Sequence, residues 1–434
     1  MKTLGRRLSV SRASVMTLSA LAVTAAAYAG CSSDDETNPT VTPGNGTDGG
    51  SDVAQGSDTS TKTDGTVTTP DTGTPDSAPA CADPVFDCTK NAGNTDAGGS
   101  GATSTAAQQV PTDIRCTGLY ACFATKTVAA THKNYVPAYK LYSDGSEKQR
   151  WMLLPAGTKI DTGGGGPGTP DEWIFPVGTM VYKEFQLNGK RIETRRTWKA
   201  GPSEWIFSVW RWADDESTAT LMNDGTVIAN PAKPGTTYEV PSNSACAPCH
   251  TGHVDKFLSL DAWSLGGAGA TGLTLASLKA DNLLTSWDHP TSLAVAEDTT
   301  GKFNGAMGFY YNNCGFCHKP GGNAAGTGLH MNLPVAEAFV DGGAGLNAAD
   351  TPVYKTAVGV AHTNQAPGGN SYPTASGFKR IVPADPDKSV VLLRDSLRNP
   401  DGGSAAPGQM PPTIMRTTDD AGLAATRAWI QALP

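Results

Sequence analysis

The feature that most constrains this chain is a five-residue pattern, Cys-x-x-Cys-His, that occurs twice. The first copy is Cys246-Ala-Pro-Cys249-His250 and the second is Cys314-Gly-Phe-Cys317-His318. Side chains three and four residues apart meet on one face of a helical turn. Each copy therefore predicts a short turn that presents two thiols and one imidazole to a common ligand.

This spacing is the attachment signature of c-type haem. Two thiols add across the two vinyl groups of the porphyrin, and the next residue turns its imidazole toward the iron as the proximal ligand. The sequence therefore predicts two covalently bound haems. The residues predicted to hold them are Cys246, Cys249, His250, Cys314, Cys317 and His318.

Three other interpretations account for less of the pattern. A disulfide within either pair leaves the adjacent histidine without a function. A redox-active dithiol of this spacing occurs in a βαβ context, which neither motif has. A zinc site from both pairs needs them closer in the sequence than they are here.

The second iron has a predicted sixth ligand, Met410. It lies in Gly408-Gln-Met410-Pro-Pro412, where the proline stiffens an extended loop and offers no competing N–H. Ligation by histidine and methionine raises the reduction potential relative to two histidines. Met331 and Met415 are the alternatives.

The first iron has no such predicted partner, because no methionine lies between His250 and Met307. Several distant side chains remain open as its sixth ligand. They are His132, Met222, His253 and His289.

The N-terminus predicts an export signal. Basic residues precede an apolar run from Val15 to Ala27, which is too short for a membrane span. The run ends in Tyr28-Ala-Gly-Cys31, which resembles the bacterial lipoprotein signal. We expect lipidation of Cys31 and a tether to a bacterial membrane, in the periplasm or at the outer membrane. An ordinary secretory cleavage is the alternative.

The composition divides the chain into segments. We assign a signal peptide to 1–30, a flexible linker rich in Ser, Thr, Gly, Asp and Pro to 31–110, and a β-rich domain to 111–241. The first haem segment then spans 242–300 and a cytochrome c-like domain 301–434. The net charge of −8 is concentrated in the linker, and the basic footprint of a nucleic-acid-binding protein is absent.

Local patterns predict the elements. Asn188-Gly189 between two alternating segments indicates a β-hairpin, and Glu204 to Trp212 indicates another strand. A helix capped by Asp419 or Asp420 closes the chain. The cysteines near the linker suggest two small disulfides, with Cys81–Cys88 and Cys116–Cys122 as the simplest pairing, although the sequence does not fix it.

The C-terminal part resembles class I cytochrome c over about residues 300–434. Asn313-Cys-Gly-Phe-Cys-His318, Met410-Pro-Pro412 and the closing Ala428-Trp-Ile-Gln-Ala-Leu433 carry the resemblance, and Arg380 to Ser389 is similar to a segment of bacterial cytochrome c domains. The resemblance implies an N-terminal helix that crosses a C-terminal one. The expected fold class is therefore multidomain α+β, with an antiparallel β-rich domain followed by a mainly α-helical cytochrome c domain.

Residues 111–434 also resemble a family of exported bacterial dihaem c-type cytochromes. Phe175-Pro-Val-Gly-Thr179, Glu193-Thr-Arg195 and the first motif carry this resemblance. Because two haems on one chain allow an electron to enter at one and leave at the other, we expect electron transfer between redox partner proteins. The alternatives are a dihaem peroxidase, for which the first iron lacks an assigned sixth ligand, an electron-accepting subunit of a periplasmic dehydrogenase, and a binding module.

Overall fold

A computed structural model describes residues 81, 83, 86–90, 110–338, 345–362, 376–399, 406–412 and 415–434. The predicted signal peptide, the lipidation site at Cys31 and most of the predicted linker lie outside the described residues. Among the helices within the described ranges, none is both long enough and apolar enough to cross a membrane.

The described elements are mostly strands in the first half and short helices in the second. The strands are β1 (Tyr120–Cys122), β2 (Thr127–Val128), β3 (His132–Val136), β4 (Glu147–Leu153), β5 (Met180–Leu187), β6 (Lys190–Lys199), β7 (Trp205–Trp212), β8 (Ala219–Met222), β9 (Thr226–Ala229), β10 (Thr237–Val240), β11 (Thr271–Gly272), β12 (Ala294–Val295) and β13 (Gly345–Leu346). The α-helices are α1 (Ala247–His250), α2 (Ala262–Gly266), α3 (Leu275–Ala280), α4 (Phe303–Asn313), α5 (Val335–Ala338), α6 (Pro352–Ala357), α7 (Val390–Asp395) and α8 (Asp420–Ala432).

A seven-stranded antiparallel sheet forms the centre, in the order β11-β3-β4-β5-β6-β7-β8. The predicted hairpin joins β5 to β6, with Leu187 opposite Lys190. Asn188 and Gly189 both have positive φ, 51° and 75°. Two such residues form the turn whose twist matches that of the flanking strands, so the hairpin prediction is confirmed.

The two faces of the sheet bury different clusters, because successive side chains of a strand point to opposite faces. Trp151, Tyr182 and Ile206 pack on one face, against Ile114 and the segment that precedes β1. Met152, Val181 and Phe207 alternate with them and belong to the largest core cluster on the other face. Both Cys-x-x-Cys-His motifs pack on that second face.

The expected fold class is wrong in its second half. We predicted a mainly α-helical cytochrome c domain at 301–434, but the described helices there are short, and the longest, α8 and α4, have 13 and 11 residues. Phe303, Trp429 and Ile430 share one hydrophobic cluster with Met152 and Phe207 of the sheet. The protein is therefore β-rich, and its C-terminal segments cover the sheet within a common core. The motifs of a small helical family do not specify the long Gly- and Pro-rich connections of this chain.

Helices α4 and α8 pack against each other within that core. The ring of Trp429 lies 5.3 Å from the ring of Phe303 and 6.4 Å from that of Tyr310. Asp419 caps α8 by accepting a hydrogen bond from the Gly422 amide at 2.9 Å, as the sequence predicted. The packing of α8 against α4 therefore positions α4, the helix that leads directly into the second motif.

Disulfides fasten the stretch at Cys81–Lys90 to the start of the sheet domain. The pairs are Cys81–Cys122 and Cys88–Cys116, so the simpler pairing suggested by the sequence is wrong. Long-range pairs occur because the stretch folds back over β1, where Asp83 accepts a hydrogen bond from the Ala124 amide at 2.6 Å.

Candidate functional site: two adjacent Cys-x-x-Cys-His turns

The first motif is a single helical turn held at the edge of the sheet. A 3-10 turn at Asn243–Cys246 runs directly into α1, which ends at His250. Asn243 anchors the turn through its amide, 3.2 Å from the Asn223 carbonyl, and through its side chain, 3.0 Å from the Asn223 side-chain oxygen. The turn therefore has the local geometry that the spacing predicted.

The imidazole of His250 is buried and held in a defined orientation. Its Nδ1 lies 2.7 Å from the carbonyl oxygen of Lys256, and because a carbonyl only accepts, Nδ1 is the donor. Its ring packs 5.1 Å from the ring of Phe207. A neutral imidazole that donates from Nδ1 carries its lone pair on Nε2, the arrangement typical of metal-binding histidines.

The two cysteines of the first motif are equally buried, with 3% and 4% of Cys246 and Cys249 exposed. Both sulfurs of the first motif therefore lie within the largest core cluster.

The second motif continues from the end of α4. Amides of Cys317 and His318 both donate to the Cys314 carbonyl, at 3.1 and 2.8 Å, which closes a helical turn over the motif. Asn313 fixes the entry to this turn, because its side-chain oxygen accepts from the Tyr142 amide at 2.9 Å. Each copy of the pattern therefore forms a helical turn, the first within α1 and the second directly after α4.

The thiols of the second motif are free, and their environment makes them unreactive. Burial, followed by the negative charge of Asp395, raises the pKa of Cys314 well above its usual value. Burial raises the pKa of Cys317 to about 11. A redox-active dithiol needs a lowered thiol pKa, so this geometry disfavours the oxidoreductase interpretation.

His318 is half-buried beside the same turn. Burial and, less strongly, the positive charges of Arg394 and Arg380 lower the pKa of His318 to about 4. The imidazole is therefore neutral near pH 7, which is the form that binds a metal.

The loop that carries Met410 lies beside the second motif. The Met410 amide donates to the Arg394 carbonyl at 3.0 Å, and Arg394 Nε donates to the Gly408 carbonyl at 2.8 Å. Arg394 is also one of the charges that act on His318. The residues predicted to bind the second haem thus come from two segments that α7 brings together.

The alternative methionines lie differently. Met331 is buried, and its amide donates to the His318 carbonyl at 2.7 Å, so its backbone lies beside His318. Met415 is buried, and its carbonyl accepts from the Gln409 side chain at 3.0 Å, so its backbone lies beside the loop that carries Met410.

The two motifs contact each other directly, although Cys314 lies 64 positions after His250 in the sequence. Gly252 packs so closely on the second motif that a Cβ built on it would lie 2.0 Å from the Phe316 carbonyl oxygen. Nearby, the Asn323 side chain donates to the Thr251 hydroxyl at 2.8 Å. No motif or periodicity in the sequence predicts this adjacency.

A charged cluster bridges the same junction. Lys319, next to the second motif, contacts the carboxylate of Glu172 and lies 2.8 Å from His253 Nδ1. Burial alone raises the pKa of Glu172, but the hydrogen bond and charge of His253 and the charge of Lys319 lower it to about 2. Together with Asp171 and Asp261, these side chains line a cavity of about 60 Å³.

The structure separates the candidates for the sixth ligand of the first iron. The ring of His132 packs 5.4 Å from that of Tyr182, on the face of the sheet opposite Phe207 and His250. His253 belongs to the charged cluster, and His289 packs 5.5 Å from Trp287. Met222 pairs with Val209, two residues from Phe207 on the same face as His250. Of these four, Met222 therefore lies on the sheet face of the first motif.

A zinc site from both motifs has no support. Among the described residues, Cys81, Asp83 and Cys122 form the one group of three or more possible ligand atoms within 4.8 Å, and a disulfide joins its two sulfurs. Comparisons with known protein families, with curated proteins and with solved structures give no match to this chain.

Proposed function

We propose that this chain is an extracytoplasmic dihaem c-type cytochrome that carries electrons between redox partner proteins. In this proposal a lipid on Cys31 tethers it to a bacterial membrane. The observation that carries the proposal is the direct contact between the two Cys-x-x-Cys-His turns at Gly252 and Phe316. Two redox groups attached to adjacent turns are close enough to exchange electrons within one chain.

The chain's own residues fit haem at the second motif. Cys314 and Cys317 are free thiols, His318 is held neutral, and Met410 lies on a loop bonded to Arg394 beside it. Bound haem supplies one-electron oxidation and reduction of its iron. The protein would contribute a neutral, half-buried imidazole at His318 and a proline-stiffened loop that carries Met410.

At the first motif the histidine fits this role. His250 is buried and its Nδ1 donates to the Lys256 carbonyl, the geometry typical of a proximal ligand. Cys246 and Cys249 are buried on the same turn, where they would form the two thioether bonds to haem.

The test is a pyridine haemochrome spectrum with haem-to-protein stoichiometry, on protein from a host that matures c-type cytochromes. Two haems per chain and two one-electron waves in a redox titration are expected. A stoichiometry of zero contradicts the proposal. Turnover of peroxide with a reduced donor, together with a high-spin fraction, identifies a dihaem peroxidase in place of an electron carrier.

A further inference from the structure

A buried ion pair lies directly behind the first motif. Lys199, at the end of β6, places its ammonium 2.8 and 2.6 Å from the two carboxylate oxygens of Asp255. Both side chains are almost fully buried, 4% and 5% exposed. The Phe175 amide donates to the same carboxylate at 2.6 Å. Asp255 is thus held by three hydrogen bonds, two from Lys199 of β6 and one from the loop that contains Phe175.

The next residue along the chain is the partner of the first imidazole. Asp255 precedes Lys256, whose carbonyl accepts the hydrogen bond from His250 Nδ1 at 2.7 Å. Phe257 follows, and its ring lies 4.8 Å from Phe175 and 5.0 Å from Trp205. The peptide that carries the Lys256 carbonyl is therefore fixed on both sides, by an ion pair before it and by an aromatic cluster after it.

We propose that Lys199 and Asp255 are positioning residues for the proximal histidine of the first haem. They hold the Lys256 carbonyl against His250 Nδ1 and so set the orientation and basicity of the imidazole. This inference rests on the proposed function, because it assigns residues that tune the same haem. Neither residue carries a motif signature in the sequence.

The electronic consequence has a defined direction. A strong hydrogen bond from Nδ1 increases electron donation by the imidazole and favours oxidised iron, which lowers the reduction potential. A carboxylate without its ammonium, or an amide in place of the carboxylate, frees the peptide to move. The hydrogen bond then weakens and the potential of the first haem rises.

The experiment compares Lys199→Met and Asp255→Asn with the wild-type full-length holoprotein in a spectroelectrochemical titration. Both variants are expected to keep two haems and to raise the potential of one haem by about 59 mV, a tenfold change in the one-electron equilibrium. The second haem keeps its potential. Lys199→Arg retains the ion pair and is expected to stay near the wild-type value.

A matched control separates positioning from general destabilisation. Glu184 is a buried carboxylate, 1% exposed, that pairs with Arg191 at 2.9 Å on the opposite face of the sheet. Glu184→Gln therefore removes a comparable ion pair far from His250 and is expected to leave both potentials unchanged.

The outcomes distinguish a failure of the proposed function from a failure of this inference alone. Wild-type protein without haem at the first motif overturns the proposed function and this inference with it. Two haems in the wild type with unchanged potentials in Lys199→Met and Asp255→Asn overturn the inference alone. An equal shift in Glu184→Gln also overturns it, because the effect would then come from lost stability.

Discussion

The two copies of the motif have the same five residues but different surroundings. The first is enclosed between the sheet and the Asp255–Phe257 segment, with its histidine bonded to a backbone carbonyl. The second follows α4, leaves Cys317 and His318 half-buried, and has a methionine loop beside it. The first motif is thus packed against the β-sheet, whereas the second is packed against helices and loops of the C-terminal segments.

The Cys-x-x-Cys-His pattern therefore specifies a helical turn and nothing beyond it. The burial of each copy, and the predicted sixth ligand of the second, depend on long-range contacts that differ between the copies. The two centres are therefore expected to have different potentials, which an electron carrier needs if electrons enter at one and leave at the other. The two motifs and their different surroundings meet at Gly252, which packs on Phe316, and at Lys319, which contacts Glu172.

The largest expected effect comes from removing one motif at a time. Replacing Cys246 and Cys249 by Ser, or Cys314 and Cys317 by Ser, removes the thioethers of one haem, and each double variant is expected to lose half of the haem. Absorbance of the pyridine haemochrome measures it. Equal loss of both haems in either variant breaks the comparison, since the sites would then not be independent.

The second effect concerns the methionine loop. Met410→Leu conserves volume but removes the thioether, so the second haem is expected to lose its low-spin spectrum and its potential to fall. Met331→Leu and Met415→Leu are the matched controls and should leave the spectrum unchanged. A wild-type spectrum in Met410→Leu excludes this ligand.

A smaller effect is expected at the junction. In Gly252→Ala the new methyl group meets the Phe316 carbonyl oxygen, 2.0 Å from the ideal Cβ position. The turns must move apart, and we expect a loss of about 1–3 kcal/mol in the free energy of unfolding. Denaturant titration measures this loss.

Gly326→Ala is the control for this variant, because nothing lies within 4 Å of its Cβ position. It is expected to change stability by less than about 0.5 kcal/mol. Equal stability of the two variants would show that the motifs do not pack as described.

The smallest effect concerns the charged cluster. Because its folded pKa of about 2 lies below the usual 4.5, ionised Glu172 stabilises the native state above pH 4.5, and this contribution is lost as the pH falls toward 2. Glu172→Gln is expected to cost about 1–2 kcal/mol at pH 7. The difference from the wild type should shrink over that acidic window.

Asp214 provides the control for that experiment, since it is 90% exposed and 3.6 Å from Arg211. Asp214→Asn is expected to be nearly neutral at every pH. If Glu172→Gln behaves like Asp214→Asn, the charged cluster does not stabilise the contact between the two motifs.

Local features of the sequence predicted local structure well. The Asn188-Gly189 turn, the Asp419 cap and the helical turn at each motif follow from the preferences of residues close together in the chain. The haem ligands themselves stay predictions, since the signal that identifies them is chemical.

Long-range features were not predictable from the same signals. The Cys81–Cys122 and Cys88–Cys116 disulfides join residues that are far apart in the sequence. The spacing of cysteines alone does not determine which of them form a disulfide. The prediction of a helical domain at 301–434 was wrong because it applied the fold of a small helical family to residues that pack on a sheet. The contact at Gly252 and the Lys199–Asp255 pair arise only when distant segments meet, and neither leaves a periodic pattern.

The most direct measurement of the central claim is the intact mass of the mature protein, made in a host that attaches c-type haem and digested afterwards into its two motif peptides. The account predicts a polypeptide heavier by two haems, with one on the peptide of Cys249 and one on that of Cys317. A mass equal to that of the unmodified polypeptide, with no Soret absorption, would contradict it.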